Sequence, residues 1–452
     1  MYSKQELNAD SNYVIYTAFI NAIATLEPGR HHFFIEFPDS TSGFKYEDDG
    51  FFHRRDVTRI PARVSTRKKA NSISYNMEWH DALQKRIAFD VIWTNLVEAA
   101  THLPFVGENA FEKAAKPPTI AAHNYVIHET LPYPVHGMEN ILTQQLLGGL
   151  MADWNVFNSD HCRNMFFDNA HKYLSKDAIK RIEAQSSKIN YGMIEPDLPM
   201  SEHGEEVVIA YNHRLQGYKQ YKITFKILND LYESGLKFKL LYMNNTSENV
   251  AGISHYPWVE IKLCRNRKEY LTNLQRCHLN VTNSVHETFC ISGIESMAMG
   301  QPFVAPRGVT FPEITGSSGN SYPYLFTSED EQSGMLRELI TNKANRAKWG
   351  AIASEHVRGS YGQALWATRY LELFRKLRER CILGTPEDAK EAAAGAGEKG
   401  LGLVEYYRRL HGLSVGGRQP FGSQSCTMVK AMMLARDAGF KIKWKGKKQV
   451  LL

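Results

Sequence analysis

Short apolar runs alternate with amphipathic stretches along most of this chain. Tyr13 to Thr25 is an apolar run read as a strand passing into a helix. His32 to Phe37, dense in aromatics and stopped by Pro38, predicts a strand. Phe89 to Thr94, Ile120 to Ile127 and Asp153 to Ser159 predict three more, with a helix over Met138 to Leu150. A second series starts near Glu206. Val207 to Tyr211 predicts a strand, and Tyr221 to Ser234 a helix with Phe225, Leu228 and Leu231 at helical spacing. Lys237 to Met243, Trp258 to Leu263, Leu279 to Thr282 and Pro302 to Ala305 continue as strands. Strands alternating with helices make parallel sheets, with sites at the strands' carboxyl ends. Two such series predict two doubly wound α/β domains facing a cleft, with a hinge near Met193 to Glu206.

Composition fits this picture. The chain has 452 residues, 43% hydrophobic and 23% charged. At roughly 150 residues per domain that length predicts two to three domains. No apolar run approaches the ~20 residues of a membrane span. The opening residues Met1 to Glu6 are polar and do not read as a secretory signal. Six cysteines without CxxC spacing point to reduced thiols rather than a zinc site or disulfide frame. The expectation is a cytoplasmic protein, in the host cytoplasm if the source is viral.

Charge divides the chain further. From Leu401 to Leu452 stand ten basic residues against Glu405 and Asp437, a balance of +8 that leaves −2 on the remainder. Residues 384–400, rich in Ala, Gly and charge, read as an exposed helix or a flexible linker. Beyond them, Val404 to Leu410 and Ser425 to Ala438 suit helices, and Phe440 to Leu452 suits a hairpin, the outline of a winged helix. Lys430 and Arg436 would lie on its second helix, and Lys443, Lys445, Lys447 and Lys448 on its wing, near phosphates. The expected divisions are a Rossmann-like domain over 1–195, a second Rossmann-like domain over 196–383, a linker over 384–400 and a basic nucleic-acid-binding domain over 401–452.

The chemistry concentrates in three places. Ser284 to Gly300 carries Glu287 and Glu295 on a strand-to-helix loop and the helix that follows. Carboxylates there can grip sugar and ribose hydroxyls, while the helix start offers N–H groups to an anion. Tyr211 to Lys219 follows a strand and precedes a helix. Its Arg214 and Lys219 suit a diphosphate whose charge grows as it departs. The third stretch is His123 to Pro134, followed by Asp153 to Ser159. Basic residues His53, Arg54, Arg55, Arg59, Arg63 and Arg67 to Lys69 read either as a solvated loop or as a phosphate-backbone track.

These residues resemble the retaining GT-B glycosyltransferases of the family that contains sucrose synthase. Its signature is Ser, Glu, seven residues, Glu, then an Ala-Met-Ala-x-Gly-x-Pro run. Here stand Ser284, Glu287, Glu295 and Ser296 to Ala305, followed by Pro312-Glu313-Ile314. The resemblance assigns the donor sugar to Glu287, the ribose to Glu295 and the diphosphate to Arg214 and Lys219. The family's Gly-Arg-Leu has its glycine replaced by His213. The third stretch is similar to a narrower branch, the tRNA-queuosine mannosyltransferase-like proteins. That likeness places either His123 or His128 at the cleft, against donor sugar and acceptor. The family's glycine-rich first loop is missing.

The implied reaction moves a hexose, with retention, from a nucleotide-sugar such as UDP-glucose to an acceptor hydroxyl. No cofactor or metal is expected, the nucleotide-sugar being a co-substrate. The basic tail favours DNA, with a 5-hydroxymethyl pyrimidine as acceptor, as in phage DNA modification. A duplex base would be flipped into the cleft. The alternatives are a tRNA base, a glycan or lipid acceptor, or a non-catalytic nucleic-acid-binding protein on a GT-B scaffold.

Overall fold

The computed structural model describes residues 11–38, 46–62, 91–101, 119–124, 141–201, 204, 206–245, 247, 249–317, 322–383, 442–445 and 448–451. The chain opens on helix α1 (Ser11–Leu26). No strand precedes it among the described residues: Ile15, Phe19, Ala22 and Ile23 recur at helical spacing and are all buried. Strands β1 (Phe33–Pro38) and β2 (Val57–Ala62) then pair in parallel.

A four-stranded parallel sheet follows in the order β3-β4-β5-β6. Its strands are β3 (Val91–Thr94), β4 (Thr119–Asn124), β5 (Trp154–Phe157) and β6 (Ser186–Lys188). Helix α2 (Ile141–Met151) connects β4 to β5, and α3 (Asp160–Tyr173) and α4 (Lys176–Ala184) connect β5 to β6. Ser159 caps α3 by accepting from the Cys162 N–H at 2.9 Å.

The second half holds β7 (Val208–Tyr211), α5 (Tyr221–Glu233), β8 (Lys239–Asn244), β9 (Val259–Leu263), α6 (Arg267–Gln275), β10 (Leu279–Val281), α7 (Ile291–Ala298) and β11 (Phe303–Pro306). After these come α8 (Phe311–Ile314), β12 (Leu325–Phe326), α9 (Glu329–Thr341), α10 (Lys343–Ser360) and α11 (Gln363–Leu383). Its six strands are parallel in the order β12-β11-β10-β7-β8-β9. The chain runs outward from β7 through β8 to β9, then returns to the other side of β7 and runs outward again. The order therefore reverses between β7 and β10, and that reversal opens a crevice at the strands' carboxyl ends. Phe225, Leu228 and Leu231 of α5 are buried, as their spacing predicts.

Gly300 ends α7 with φ 81°, a conformation glycine adopts freely. Gly350 of α10 lies so close that a Cβ there would stand 1.9 Å from the Gly300 carbonyl oxygen.

Two crossings join the halves. Ile194 forms a parallel bridge to Gly362, with its N–H on the Tyr361 carbonyl at 3.3 Å. Ile194, at the first crossing, falls within the stretch from Met193 to Glu206. The second sends α11 back onto the first half, so the helix assigned by sequence to the 196–383 domain packs on α1. Phe19 meets Trp366 at 4.9 Å and Tyr370 at 5.0 Å between ring centroids.

Of the tail, the described residues form β13 (Ile442–Lys445) and β14 (Lys448–Leu451), antiparallel with Lys445 opposite Lys448. That is the expected hairpin. The expected helices of the winged helix, and the 384–400 linker, lie outside the described residues.

Candidate functional site

Two loops meet at the crevice between β7 and β10. The first, 212–220, leaves β7, and the second, 282–290, leaves β10. The Val285 N–H donates to the Tyr218 carbonyl at 3.0 Å and locks them together. Each loop ends in a left-handed residue that is not glycine: Gln220 with φ 46° before α5, and Cys290 with φ 61° before α7. Such backbone is costly for an L side chain and tends to collect at functional sites.

The crevice is charged where the sequence expects chemistry. The Lys219 ammonium donates to the Glu287 carboxylate, and their side chains are 9% and 15% exposed. Burial opposes the charge on Lys219, but Glu287 more than offsets it and holds the ammonium above its ordinary pKa. His213 stands beside them, buried, with Nδ1 3.3 Å from the Ser292 hydroxyl and Nε2 without a partner among the described residues. Burial, reinforced by Lys219, drives its pKa well below the usual value, so the ring is neutral. Arg214 is exposed. Its side chain could turn toward an anion at the same loop. Ser284 works structurally, its hydroxyl bonding the His286 carbonyl at 3.0 Å inside the loop.

His213, Glu287 and Cys290 bring ligand atoms within 4.8 Å of one another, a zinc-like donor set. Lys219 already neutralises the carboxylate, and a divalent ion beside that ammonium would meet like charge. Burial, then Glu287, pushes the Cys290 thiol up to about 12. The Lys219 ammonium at this site suits an anion, and the carboxylate beside it suits hydroxyl groups.

Glu295 is set deeper, 3% exposed, on α7. It accepts from Arg267 Nη1 at 2.5 Å and from the Tyr270 hydroxyl at 2.8 Å. Tyr270 also accepts from Asn212 at 2.8 Å, and Asn280 donates to the Asn212 side-chain oxygen at 2.9 Å. A part-buried polar chain thus links β10, the loop after β7, α6 and α7. Sequence reasoning missed Asn212, Arg267, Tyr270 and Asn280. The signal that could have found two of them is local. Asn266 caps α6 through the Glu269 N–H, which puts Arg267 and Tyr270 three apart on one face of the first turn after a strand.

The first half closes over the second loop. Ser159 donates to the Thr288 carbonyl, and Asn158 reaches the Thr288 hydroxyl at 3.4 Å. Phe289 packs on Tyr191 and Tyr361 at 5.5 and 5.4 Å. Glu313 accepts from the Asp160 N–H at the start of α3 and from Lys188, at 2.9 and 3.1 Å. An open cavity of about 420 Å³ adjoins this region, lined by Lys188, Glu313, Tyr361 and Arg369. It contains none of the predicted donor residues.

In the first half, His123 lies near the carboxyl end of β4, opposite Val156 of β5. His128 is outside the described residues. Arg54 is engaged by Asp56 at 2.9 Å and by Asn21, and lies 5.7 Å from the Phe51 ring, so its charge is satisfied locally. Arg55 is exposed. Lys443, Lys445 and Lys448 are on the hairpin strands, while Lys430, Arg436 and Lys447 lie outside the described residues.

No family profile matches the chain. It is 25% identical over 230 residues to the tRNA-queuosine alpha-mannosyltransferase of Drosophila melanogaster, across 44% of this chain and 60% of that protein. The chain therefore spans under two thirds of that relative. In fold it is similar to a sucrose-phosphate synthase from Thermosynechococcus elongatus, with TM-score 0.64 and 14% identity over 81% of this chain and 94% of that one. It is likewise similar to HepE from Anabaena, solved with UDP and glucose, with TM-score 0.59 and 12% identity over 81% and 97%. The fold is that of the GT-B glycosyltransferases.

Proposed function

We propose that this protein is a retaining glycosyltransferase that takes a hexose from a nucleotide-sugar of the UDP-glucose kind. The observation that carries the reading is the Lys219–Glu287 pair at the reversal of strand order, beside the buried carboxylate of Glu295. That crevice is where a doubly wound sheet binds a nucleotide. The fold neighbour HepE is described with UDP and glucose, which supports the donor class.

In this reading the diphosphate lies over the 212–220 loop. Lys219 and Arg214 meet its charge, which grows as the glycosidic C–O bond breaks. Lys219 turning to the phosphate frees Glu287 for hydroxyls of the sugar. Glu295 takes the ribose. The acceptor oxygen bonds to the anomeric carbon on the face the diphosphate leaves, and its proton departs with the leaving group or to solvent. No metal or cofactor is assigned a part.

The acceptor enters from the first half. Asn158 and Ser159, at the end of β5, already touch the donor loop, and His123 stands at the same end of the neighbouring strand. The +8 balance of residues 401–452 favours a nucleic acid. We infer a hydroxyl borne by a base, and favour a 5-hydroxymethyl pyrimidine of DNA, with Arg55 and the tail lysines on phosphates. A second reading, a hydroxyl on a tRNA base, is favoured by the mannosyltransferase relative.

The test incubates the protein with hydroxymethylated DNA, plain DNA or tRNA and a panel of nucleotide-sugars, then measures nucleoside masses. A hexose gain on hydroxymethylated DNA supports the first reading, and a gain on tRNA alone supports the second. No gain on any nucleic acid, with donor still hydrolysed, removes the nucleic-acid acceptor but leaves the transferase.

A further inference from the structure

Arg267 is bonded on both sides. Its Nη1 reaches Glu295 at 2.5 Å, while Nε reaches Glu195 at 2.7 Å and Nη2 reaches the Met193 carbonyl at 3.1 Å. Glu295 belongs to the crevice. Glu195 and Met193 belong to the first crossing, one residue either side of Ile194, which bridges to the second crossing at Gly362. One guanidinium therefore ties the donor side of the crevice to the place where the chain passes between its halves.

The charges are unequal. Burial disfavours a charge on Arg267, but Glu295 and then Glu195 more than offset it, so the guanidinium is firmly cationic. Two carboxylates share that cation, with side-chain exposures of 4% for Glu295 and 34% for Glu195. The cluster carries a surplus of negative charge and spare lone pairs. Arg267 and the Tyr270 hydroxyl each take one lone pair on separate oxygens of Glu295, and one remains on each. A vicinal diol supplies two O–H donors at the spacing of those oxygens. Buried carboxylates gain most from such donors because water is excluded.

We propose that Arg267 is a positioning residue that holds Glu295 for the ribose diol of the donor and passes the donor's arrival to the interdomain crossing through Glu195 and Met193. This rests on the reading of Glu295 as the ribose carboxylate. When the diol settles on Glu295, the Arg267 bridge is fixed at one end and so stiffens the other. Donor binding then steadies the Ile194–Gly362 bridge without direct contact between nucleotide and crossing.

The test uses the full chain with UDP, GDP and ADP as probes. Calorimetry gives affinity, donor kinetics separate KM from kcat, and hydrogen exchange follows the Ile194 and Gln363 amides, which bond across the crossing. In the wild type at least one nucleotide should bind and slow exchange at both amides. Arg267→Met should weaken that nucleotide at least tenfold and raise donor KM more than it lowers kcat. Arg267→Lys should recover part of the affinity. Glu195→Gln should keep affinity within about twofold, since a tenfold change would mean about 1.4 kcal/mol at the site itself, yet lose the slowing at the crossing. If Arg267→Met fails to fold, Glu195→Gln and Arg267→Lys still decide. Unchanged affinity in both Arg267 variants, or wild-type slowing in Glu195→Gln, overturns the inference and spares the transferase reading. Failure of the wild type to bind any of the nucleotides overturns both.

Discussion

Lys219 and Glu287 come from loops 68 residues apart in sequence and meet as a largely buried ion pair at the reversal of strand order in the second sheet. Neither charge can lose its partner cheaply. Replacing Lys219 with Met leaves a carboxylate without its cation in a site mostly closed to water. The expected cost is about 3 kcal/mol, the range for breaking one partner of a buried pair. Replacing both, as Lys219→Met with Glu287→Leu, should restore most of that stability and no transfer activity. Urea unfolding of the three proteins, with donor turnover measured in parallel, checks it. A double variant as unstable as the single one contradicts the pairing.

His213 sets an acid limit on stability. Its folded pKa is far below the ordinary value because the ring is buried, with Lys219 adding to the effect. In the unfolded chain it binds a proton below about pH 6.5. Below that pH the unfolded state holds more protons, so stability falls as pH falls, by up to about 1.4 kcal/mol per pH unit from this one group. His213→Leu should flatten that part of the curve between about pH 6.5 and 5. Unfolding free energies at half-unit steps across this window give the comparison. An unaltered slope in the variant contradicts a neutral buried ring.

Gly350 is needed for close approach, not for turn geometry. A Cβ there would stand 1.9 Å from the Gly300 carbonyl oxygen, at the end of the helix that carries Glu295. Gly350→Ala must push α10 away from that turn, which should cost about 2 kcal/mol or more. The nearby Gly359 has open space, so Gly359→Ala serves as the control. Thermal unfolding should separate the two. Equal melting temperatures contradict the close approach.

The basic tail is expected to hold nucleic acid through phosphates. Removing residues 401–452 removes the +8 balance. Duplex affinity should fall, and the dependence of log K on log salt should become shallower by about 0.9 for each phosphate that the tail neutralises. Fluorescence anisotropy on a short duplex at several salt concentrations measures both. Unchanged affinity and slope contradict a nucleic-acid role for the tail. Loss of liposome binding instead would point to a membrane surface.

Much of the second half was legible because its strands are short apolar runs and its chemistry lies on loops between them. Glu287 and Lys219 could be placed at one site in advance since both follow strands of one βα series, but their ion pair is seen only in the structure. The first half was harder. Tyr13 to Thr25 is apolar on nearly every side, because α1 is covered by the first sheet and by α11, so its period was obscured. The return of α11 depends on aromatic packing between Phe19, Trp366 and Tyr370, separated by most of the chain. Arg267 escaped notice for a similar reason. A lone arginine at a helix start reads as solvated, and only tertiary packing shows that Glu195 and Glu295 converge on it.

The most direct test of the transferase gives the wild type and Glu287→Gln the same nucleotide-sugar panel. Released sugar is followed by NMR at the anomeric carbon. The wild type should consume at least one donor and release or transfer the sugar with the donor's own anomeric configuration. Glu287→Gln should bind nucleoside diphosphate yet turn over at least a hundredfold more slowly, about 2.7 kcal/mol of lost transition-state stabilisation. Equal turnover in the two proteins, or no donor consumed by the wild type while duplex binding persists, contradicts a transferase that works through Glu287.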